Sequence, residues 1–561
     1  MKRTNNNKTA TATIKPWNPL SMAIVGAVWL ASVGNWPLWL RLTSLPEMGT
    51  ARGALFVAGA FVIIMAVTAA LLALFAWRYS IKPVLAFFLV SAASGAYFMG
   101  SYGVVLDPSM LANMLETNVQ ETRDLMNPPL AISLVLLAGL PIWWMWRTPT
   151  LQRPAMSQLA RNVGAIVIAF AAIGIVVFGL FADLAATMRN HKSMRYMINP
   201  VTSFYSLAVA VKGVESKQVG PPAVIGADAV RKPLPPGAKP PLLLLTVGET
   251  ARSTNFALNG YDRQTNNELG AIPDLVSFTK VTSCGTNTAA SLPCMFSSLG
   301  RVAHQSHKGE QENLLDVLQH AGMAVLWIDN QSGCKGVCDR VPHAQTTDLA
   351  PGGSPLPAGV CTEDECLDKA LLHDLDLRIA ALPAERRAVG VVVVMHQMGS
   401  HGPAYSRRSP PSRKPFLPEC TTKVLQQCGE QPLWNAYDNS IAYTDHVLAD
   451  SIRWLKSKSD AYEPSLLYVS DHGESLGEHG IYLHGMPYSM APEQQTHVPM
   501  IAWGTQSAAS RIPSACLNRQ RDRPLSHDNL FHTVLGIVNV QTSVYQPALD
   551  AFAECQRLAR G

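Results

Sequence analysis

The segment Ser465-Leu-Leu-Tyr-Val-Ser-Asp-His-Gly-Glu474 joins an apolar run to a carboxylate, an imidazole and a second carboxylate. A nearly continuous apolar run suits a strand buried on both faces, as in a parallel sheet covered by helices. In such sheets the residues just past the carboxyl ends of the strands build the active site. Four further runs fit the same pattern: LLLLTVGE (242–249), MAVLWID (323–329), VGVVVVMH (389–396) and VPMIAW (498–503). Their ends, with that of the first run, bring Glu249, Asp329, His396 and Asp471-His472, so four of five strands finish in an acid or a histidine. Stretches of helical period lie at Leu314–Ala321, Leu367–Leu382 and Asn435–Lys456. The expected fold for residues 242–561 is an α/β domain with a mainly parallel sheet between helices.

Upstream the composition changes. Charged residues make up 15% of the 561, well below the roughly 25% of soluble domains. Residues 1–214 hold 16 Lys/Arg and 6 Asp/Glu, a net +10, whereas the remainder holds 29 and 34, a net −5. The overall +5 is therefore not one basic surface and calls for no nucleic-acid partner. Asn18–Leu40, Gly53–Trp77, Val84–Leu106, Pro128–Trp146 and Asn162–Ala182 carry no charge. Each is long enough for an α-helix to cross about 30 Å of hydrocarbon. Nine Lys/Arg fall in the amino terminus and in the second and fourth connections, against only Arg41, Arg52 and Arg123 in the first and third. Positive-inside bias then places the amino terminus in the cytoplasm and everything beyond the fifth span outside. The expected organisation is an α-helical five-span transmembrane domain (1–187), an interfacial helix and Pro-rich linker (188–241), and an external catalytic domain (242–561). The interfacial helix is read from Met188–Val211, where Arg189, Lys192 and Arg195 mix with Met, Tyr and Phe.

All ten cysteines lie in the external part, the first eight as close pairs. Cys334-x3-Cys338 with Cys361-x4-Cys366 has the spacing of a structural zinc site. An external, oxidising location favours disulfides instead. Sequential pairing gives Cys284–Cys294, Cys334–Cys338, Cys361–Cys366 and Cys420–Cys428, leaving Cys516–Cys555.

The chemistry gathers where strands end. Asp471, His472 and Glu249 are good ligands for Zn²⁺, and His401, His484 and Lys335 add imidazoles and a cation nearby. Several hydroxyls in Ser283-Cys-Gly-Thr-Asn-Thr-Ala-Ala-Ser-Leu-Pro-Cys294 are candidate nucleophiles. A hydroxyl needs a metal or a base to lower its pKa, and spacing does not choose among Thr286, Thr288 and Ser291. In the third connection Asn113, Thr117 and Glu121 recur every four residues, which on a helix makes one polar strip beside the membrane. Such a strip suits either a solvated face or contact with a polar lipid headgroup.

These residues, with GETAR, SCGTNTAASLPCMFS, CKGVC, HQMGSHGPAY and SDHGESLGEHGIYLHG, resemble the phosphoethanolamine–lipid A transferases, including the mobile colistin-resistance enzymes, of the alkaline phosphatase/sulfatase superfamily. The resemblance spans nearly the whole chain. It implies Thr288 as nucleophile and Glu249, Thr288, Asp471 and His472 as one tight zinc site. It implies that His401 and His484, with Lys335, hold the phosphoryl group or a second, weaker zinc, with either histidine as proton carrier. Asn113, Thr117 and Glu121 match positions that contact the phosphoethanolamine of the donor, and Gln331 a phosphate-contacting position where some relatives carry Asn. The implied reaction takes phosphoethanolamine from phosphatidylethanolamine to lipid A through a covalent threonine intermediate, in a monomer of the bacterial inner membrane whose catalytic domain lies in the periplasm. A cation beside a formerly bare phosphate weakens polymyxin binding. The rivals are the same transfer onto a lipopolysaccharide core sugar or another glycan, and phosphoglycerol transfer. A sulfatase activity is disfavoured, because no Cys or Ser precedes an x-Pro-x-Arg sequence near Cys294.

Overall fold

A computed structural model describes residues 15–116, 119–217, 220–234, 237–362 and 365–560. The chain forms two compact units, one built from residues up to Asp107 with Met126–Ser206, the other from Pro108–Leu125 with Leu207 onward.

The first unit contains five helices long and apolar enough to cross a membrane: Pro19–Thr43, Ala51–Leu74, Ile81–Tyr102, Pro128–Arg147 and Ala155–Phe181. Their starts follow from capping side chains. Asn18 accepts from the Leu20 amide, Thr50 from Gly53, and Asn127 from Leu130. The third helix stops at Gly103, whose φ of 70° suits glycine.

The single helix expected over Met188–Val211 is not formed. The fifth helix runs on to Asn190, a 3₁₀ segment covers Lys192–Met197, and a new helix spans Val201–Lys217. The physical reason is the Asn199-Pro200 pair. Pro200 lacks an amide hydrogen, and the residue before a proline is biased away from the helical region. The Asn199 amide donates instead to Asn35 Oδ1 at 2.8 Å. Its side chain is 1% exposed and donates to the carbonyls of Gly34 (3.1 Å) and Ala92 (2.6 Å). Gly95 makes room for it, since a Cβ there would lie 2.7 Å from Asn199 Oδ1. Apolar helices offer no other partners for these groups.

The second unit is built on an eight-stranded sheet. We number its strands β1 (Pro241–Gly248), β2 (Val276–Thr282), β3 (Ala324–Asp329), β4 (His343–Gln345), β5 (Val391–His396), β6 (Glu463–Ser470), β7 (His497–Gly504) and β8 (Leu525–Ser526). Their spatial order is β8-β2-β7-β6-β1-β5-β3-β4. Only β7 runs against the rest, so the sheet is mainly parallel as expected. The central strands β1, β3 and β5 are buried along their whole length, and one apolar core packs on each face of the sheet. Strand β2 escaped the sequence pattern because its second half alternates, with Lys280 and Thr282 exposed. The helix expected over Leu367–Leu382 is instead a 3₁₀ segment, Asp368–Leu372, and a short helix, Leu375–Ala380. The break falls at Asp374, whose φ is 52°.

Register does the positioning. Gly248 pairs with Ser470, Val247 with His396, and His396 with Asp329. Glu249 and Asp471 therefore emerge side by side at the carboxyl edge, with His396 and Asp329 along the same line. The ten cysteines form the five expected bridges, Cys284–Cys294, Cys334–Cys338, Cys361–Cys366, Cys420–Cys428 and Cys516–Cys555. With those sulfurs bonded, Cys334 and Cys338 hold no zinc.

Replacing Asn199 by Leu tests the buried amide network. The Asn35 side chain keeps its bonds to the Asn199 backbone, but the Gly34 and Ala92 carbonyls lose the side-chain amide that donates to them, at about 1–3 kcal/mol per buried polar group. Thermal unfolding in detergent is expected to show a clear loss for Asn199→Leu and little change for Ser203→Ala. Equal stabilities would contradict the assignment.

Candidate active site

Glu249, Asp471 and His472 are fully buried, and one potential ligand atom from each lies within 4.8 Å of the others. His472 Nε2 is 3.4 Å from Glu249 Oε1 and 3.3 Å from Asp471 Oδ2. His472 Nδ1 faces the Gly473 carbonyl at 2.9 Å. That contact assigns the proton to Nδ1 and leaves the Nε2 lone pair toward the carboxylates.

The electrostatics are unbalanced. Asp471 Oδ1 accepts from the amides of Thr250 (3.2 Å) and His472 (2.7 Å), but buried Oδ2 accepts no hydrogen bond. Burial pushes the Asp471 carboxyl up, and the adjacent Glu249 charge pushes it further. At Glu249 burial acts in the same direction, but the imidazoles of His472, His401, His484 and His396 overcome it and hold that carboxyl low. Two carboxylates, an imidazole and a hydroxyl around an unsatisfied buried oxygen fit a divalent cation, and the ligand types suit zinc.

The structure separates the three candidate hydroxyls. Thr286 donates to the Met486 carbonyl at 2.7 Å. Ser291 donates to the Asp471 carbonyl at 2.6 Å and accepts from Gly285. Thr288 alone of the three faces the cluster, with Oγ1 donating to Glu249 Oε2 at 3.1 Å and lying 3.4 Å from His472 Nε2. It opens the helix Thr288–Met295, which Asn287 caps by accepting from the Ala290 amide.

The other expected residues distribute as follows. The His484 ring lies tilted 4.4 Å from the His472 ring and edge-on 5.6 Å from that of His401. Gln331 reaches Glu249 Oε2 through Nε2 at 3.0 Å, so here it supports a carboxylate. Lys335 sits in the Cys334–Cys338 turn with Nζ 3.1 Å from Ser332 Oγ. Asn113 lies on the helix Pro108–Glu116 and Glu121 on Val119–Leu125. Thr117 lies outside the described residues.

Against this geometry the similarities to known proteins become informative. The family model described as Sulfatase matches residues 241–540, and that described as Phosphoethanolamine transferase EptA/EptB matches residues 64–213. Phosphoethanolamine transferase EptA of Salmonella typhimurium is 41% identical, over 84% of this chain and 85% of its own. The chain belongs to the phosphoethanolamine transferase family. Phosphatidylethanolamine transferase Mcr-1 of Escherichia coli is 38% identical, over 83% of this chain and 84% of its own. The solved structure of the integral membrane protein lipooligosaccharide phosphoethanolamine transferase A from Neisseria meningitidis matches with a TM-score of 0.88 at 31% identity, covering 95% of this chain and 98% of that one. The half of this transferase that holds the site, residues 241–540, thus matches the family described as Sulfatase.

Several residues of the transferase site had no assigned role in the sequence. His396 Nδ1 donates to Asp329 Oδ2 (3.1 Å) and turns Nε2 toward Glu249 Oε2 at 4.0 Å. Both stand at strand ends, which was their only signal. Glu474 is buried against His484 Nδ1 at 3.3 Å, and burial raises its pKa well above the ordinary range. His527 lies far along the sequence, yet its Nδ1 accepts from the Cys284 amide at 3.0 Å and its Nε2 meets the Ser470 carbonyl at 2.9 Å. It ties the loop that begins at Cys284 to the strand that delivers Asp471.

Burial holds the His527 pKa down to about 4 from an ordinary 6.5. A depressed histidine contributes stability that is complete above 6.5 and is lost as pH falls toward 4, up to about 3 kcal/mol. His527→Asn keeps an acceptor near Nδ1 and has no ring to protonate. Its unfolding temperature is expected to fall less steeply than wild type as pH drops from about 7 to about 4.5. Parallel slopes would contradict this role.

Proposed function

We propose that this transferase moves phosphoethanolamine from phosphatidylethanolamine to a phosphate of lipid A through a covalent intermediate on Thr288, and that it does so at the bacterial inner membrane with its catalytic domain in the periplasm. The observation that carries the reading is the Thr288 hydroxyl, aimed at Glu249 and His472 beside an unsatisfied Asp471 oxygen. The donor is suggested by Mcr-1, named a phosphatidylethanolamine transferase, and the acceptor by the Neisseria meningitidis protein, named for lipooligosaccharide.

Glu249, Asp471, His472 and Thr288 would hold zinc, which supplies positive charge that lowers the hydroxyl pKa and offsets phosphoryl charge. Thr288 Oγ1 attacks phosphorus, and the bond from phosphorus to the diacylglycerol oxygen breaks. The hydroxyl proton, held against Glu249 in the resting state, ends on that leaving oxygen, with His401 or His484 as relay. An oxygen of the lipid A monohydrogen phosphate then attacks phosphorus, and the proton it gives up passes through the same relay to Thr288 Oγ1 as the bond from Oγ1 to phosphorus breaks. Lys335 balances phosphoryl charge, and Gln331 keeps Glu249 oriented. Asn113, Thr117 and Glu121 would hold the donor headgroup. The product carries an ammonium beside a phosphate, which lowers affinity for cationic peptides such as colistin.

Thr288→Ala is expected to lower transfer by at least ~10³-fold and to abolish the adduct of phosphoethanolamine mass on the intact protein, while unfolding stays within about 1 kcal/mol. Mass spectrometry of lipid A from cells expressing wild type should show added phosphoethanolamine on a phosphate. Unchanged lipid A with the added mass on core sugars would overturn the acceptor. An active Thr288→Ala would overturn the nucleophile.

A further inference from the structure

One carboxylate outside the proposed catalytic centre gathers three cations, and none of the roles above uses it. Asp124 lies on the helix Val119–Leu125, in the connection between the third and fourth spans, which packs within the carboxy-terminal unit. Its side chain is 4% exposed, with Lys423 Nζ at 2.5 Å and Arg407 and Arg408 at 3.8 Å. Arg408 is equally buried. It donates from Nε to the His401 carbonyl at 2.7 Å and from Nη1 to Glu365 Oε2 at 2.6 Å. A charge withdrawn this far from water persists only when paired, and removing one partner is costly.

The same connection is anchored at its other end. The helix Pro108–Glu116 packs on the helix Thr288–Met295. Met110 seats on Gly485, where a Cβ would lie 2.8 Å from Met110 Sδ, and Gly485 has a φ of +89°. Gly485 directly follows His484. One anchor thus adjoins His484, the other backs His401 through Arg408, and Asn113, Thr117 and Glu121 fall between them in sequence.

We propose that Asp124 is a positioning residue for the lipid donor. By pairing with Lys423 and Arg408 it docks Pro108–Leu125 on the catalytic domain, where the helix Pro108–Glu116 packs on the helix that Thr288 opens. The inference rests on the donor reading above. Asp124→Asn keeps the shape and removes the charge. Arg408 remains held by Glu365 and the His401 carbonyl, so the histidine stays placed while the connection loses its ionic tether. Substrates should then separate. A phosphatidylethanolamine donor needs the strip, whereas a small soluble phosphodiester of ethanolamine needs only the centre.

The test uses the full chain in detergent with two probes, phosphatidylethanolamine in mixed micelles and p-nitrophenyl phosphoethanolamine, together with hydrogen exchange over residues 108–125. For Asp124→Asn the KM for the lipid is expected to rise about fivefold or more with kcat within about twofold. The soluble reaction should be unchanged, and exchange over 108–125 should be faster. Lys423→Met should shift the same quantities by less, because Arg407 and Arg408 remain, and Asp124→Glu should restore them. A parallel fall with both substrates would place the effect at the catalytic centre and overturn the proposal, as would an unchanged lipid KM with unchanged exchange. A wild-type protein that cleaves the soluble probe but no phosphatidylethanolamine would defeat the donor reading, and exchange would still decide the docking.

Discussion

Two carboxylates in a dry pocket cannot both stay ionised unless a cation offsets their repulsion, and the catalytic half of this protein is arranged around that constraint. Parallel pairing of β1 with β6 matches Gly248 to Ser470, so Glu249 and Asp471 must emerge together. Imidazoles hold the Glu249 carboxyl low, while burial, and then the Glu249 charge, push the Asp471 carboxyl up. The strain of like charges at close range in a low dielectric is what gives such a site affinity for a metal. The Thr288 hydroxyl is held at the same point by the Asn287 cap and by the loop that His527 ties to Ser470. Sheet register, helix capping and one buried histidine therefore converge on one position.

Much of this was legible in the chain because it depends on short-range pattern. Apolar runs ending in Glu249, His396 and Asp471 marked both the sheet and its functional edge, and five uncharged stretches marked the spans. Paired cysteine spacing, with an expected external location, pointed to the five bridges that the structure forms. What escaped depends on tertiary contacts. Thr286, Thr288 and Ser291 are alike in spacing, and only the partners Met486, Glu249 and Asp471 distinguish them. His527 and Asp124 act on residues 243 and 299 positions away, and no local signal marks either.

The membrane half failed the sequence reading at one place, and for an instructive reason. Basic and aromatic residues around Arg195 suggested an interfacial helix, but Asn199 has no low-energy place on an apolar surface. It turns inward to the carbonyls of Gly34 and Ala92, and Pro200 makes the break. The third connection shows the complementary case. It is bounded by spans, yet it packs with the catalytic unit through Met110 and Asp124.

The central claim, that Glu249 and Asp471 are held in repulsion until a cation joins them, is tested most directly by thermal unfolding of Asp471→Asn with chelator and with zinc. In chelator the variant should unfold about 2–4 °C above wild type, because one of two like charges is gone. Zinc should raise the wild-type transition and leave that of the variant nearly unmoved. A variant less stable than wild type in chelator, or one stabilised by zinc as much as wild type, would contradict the account.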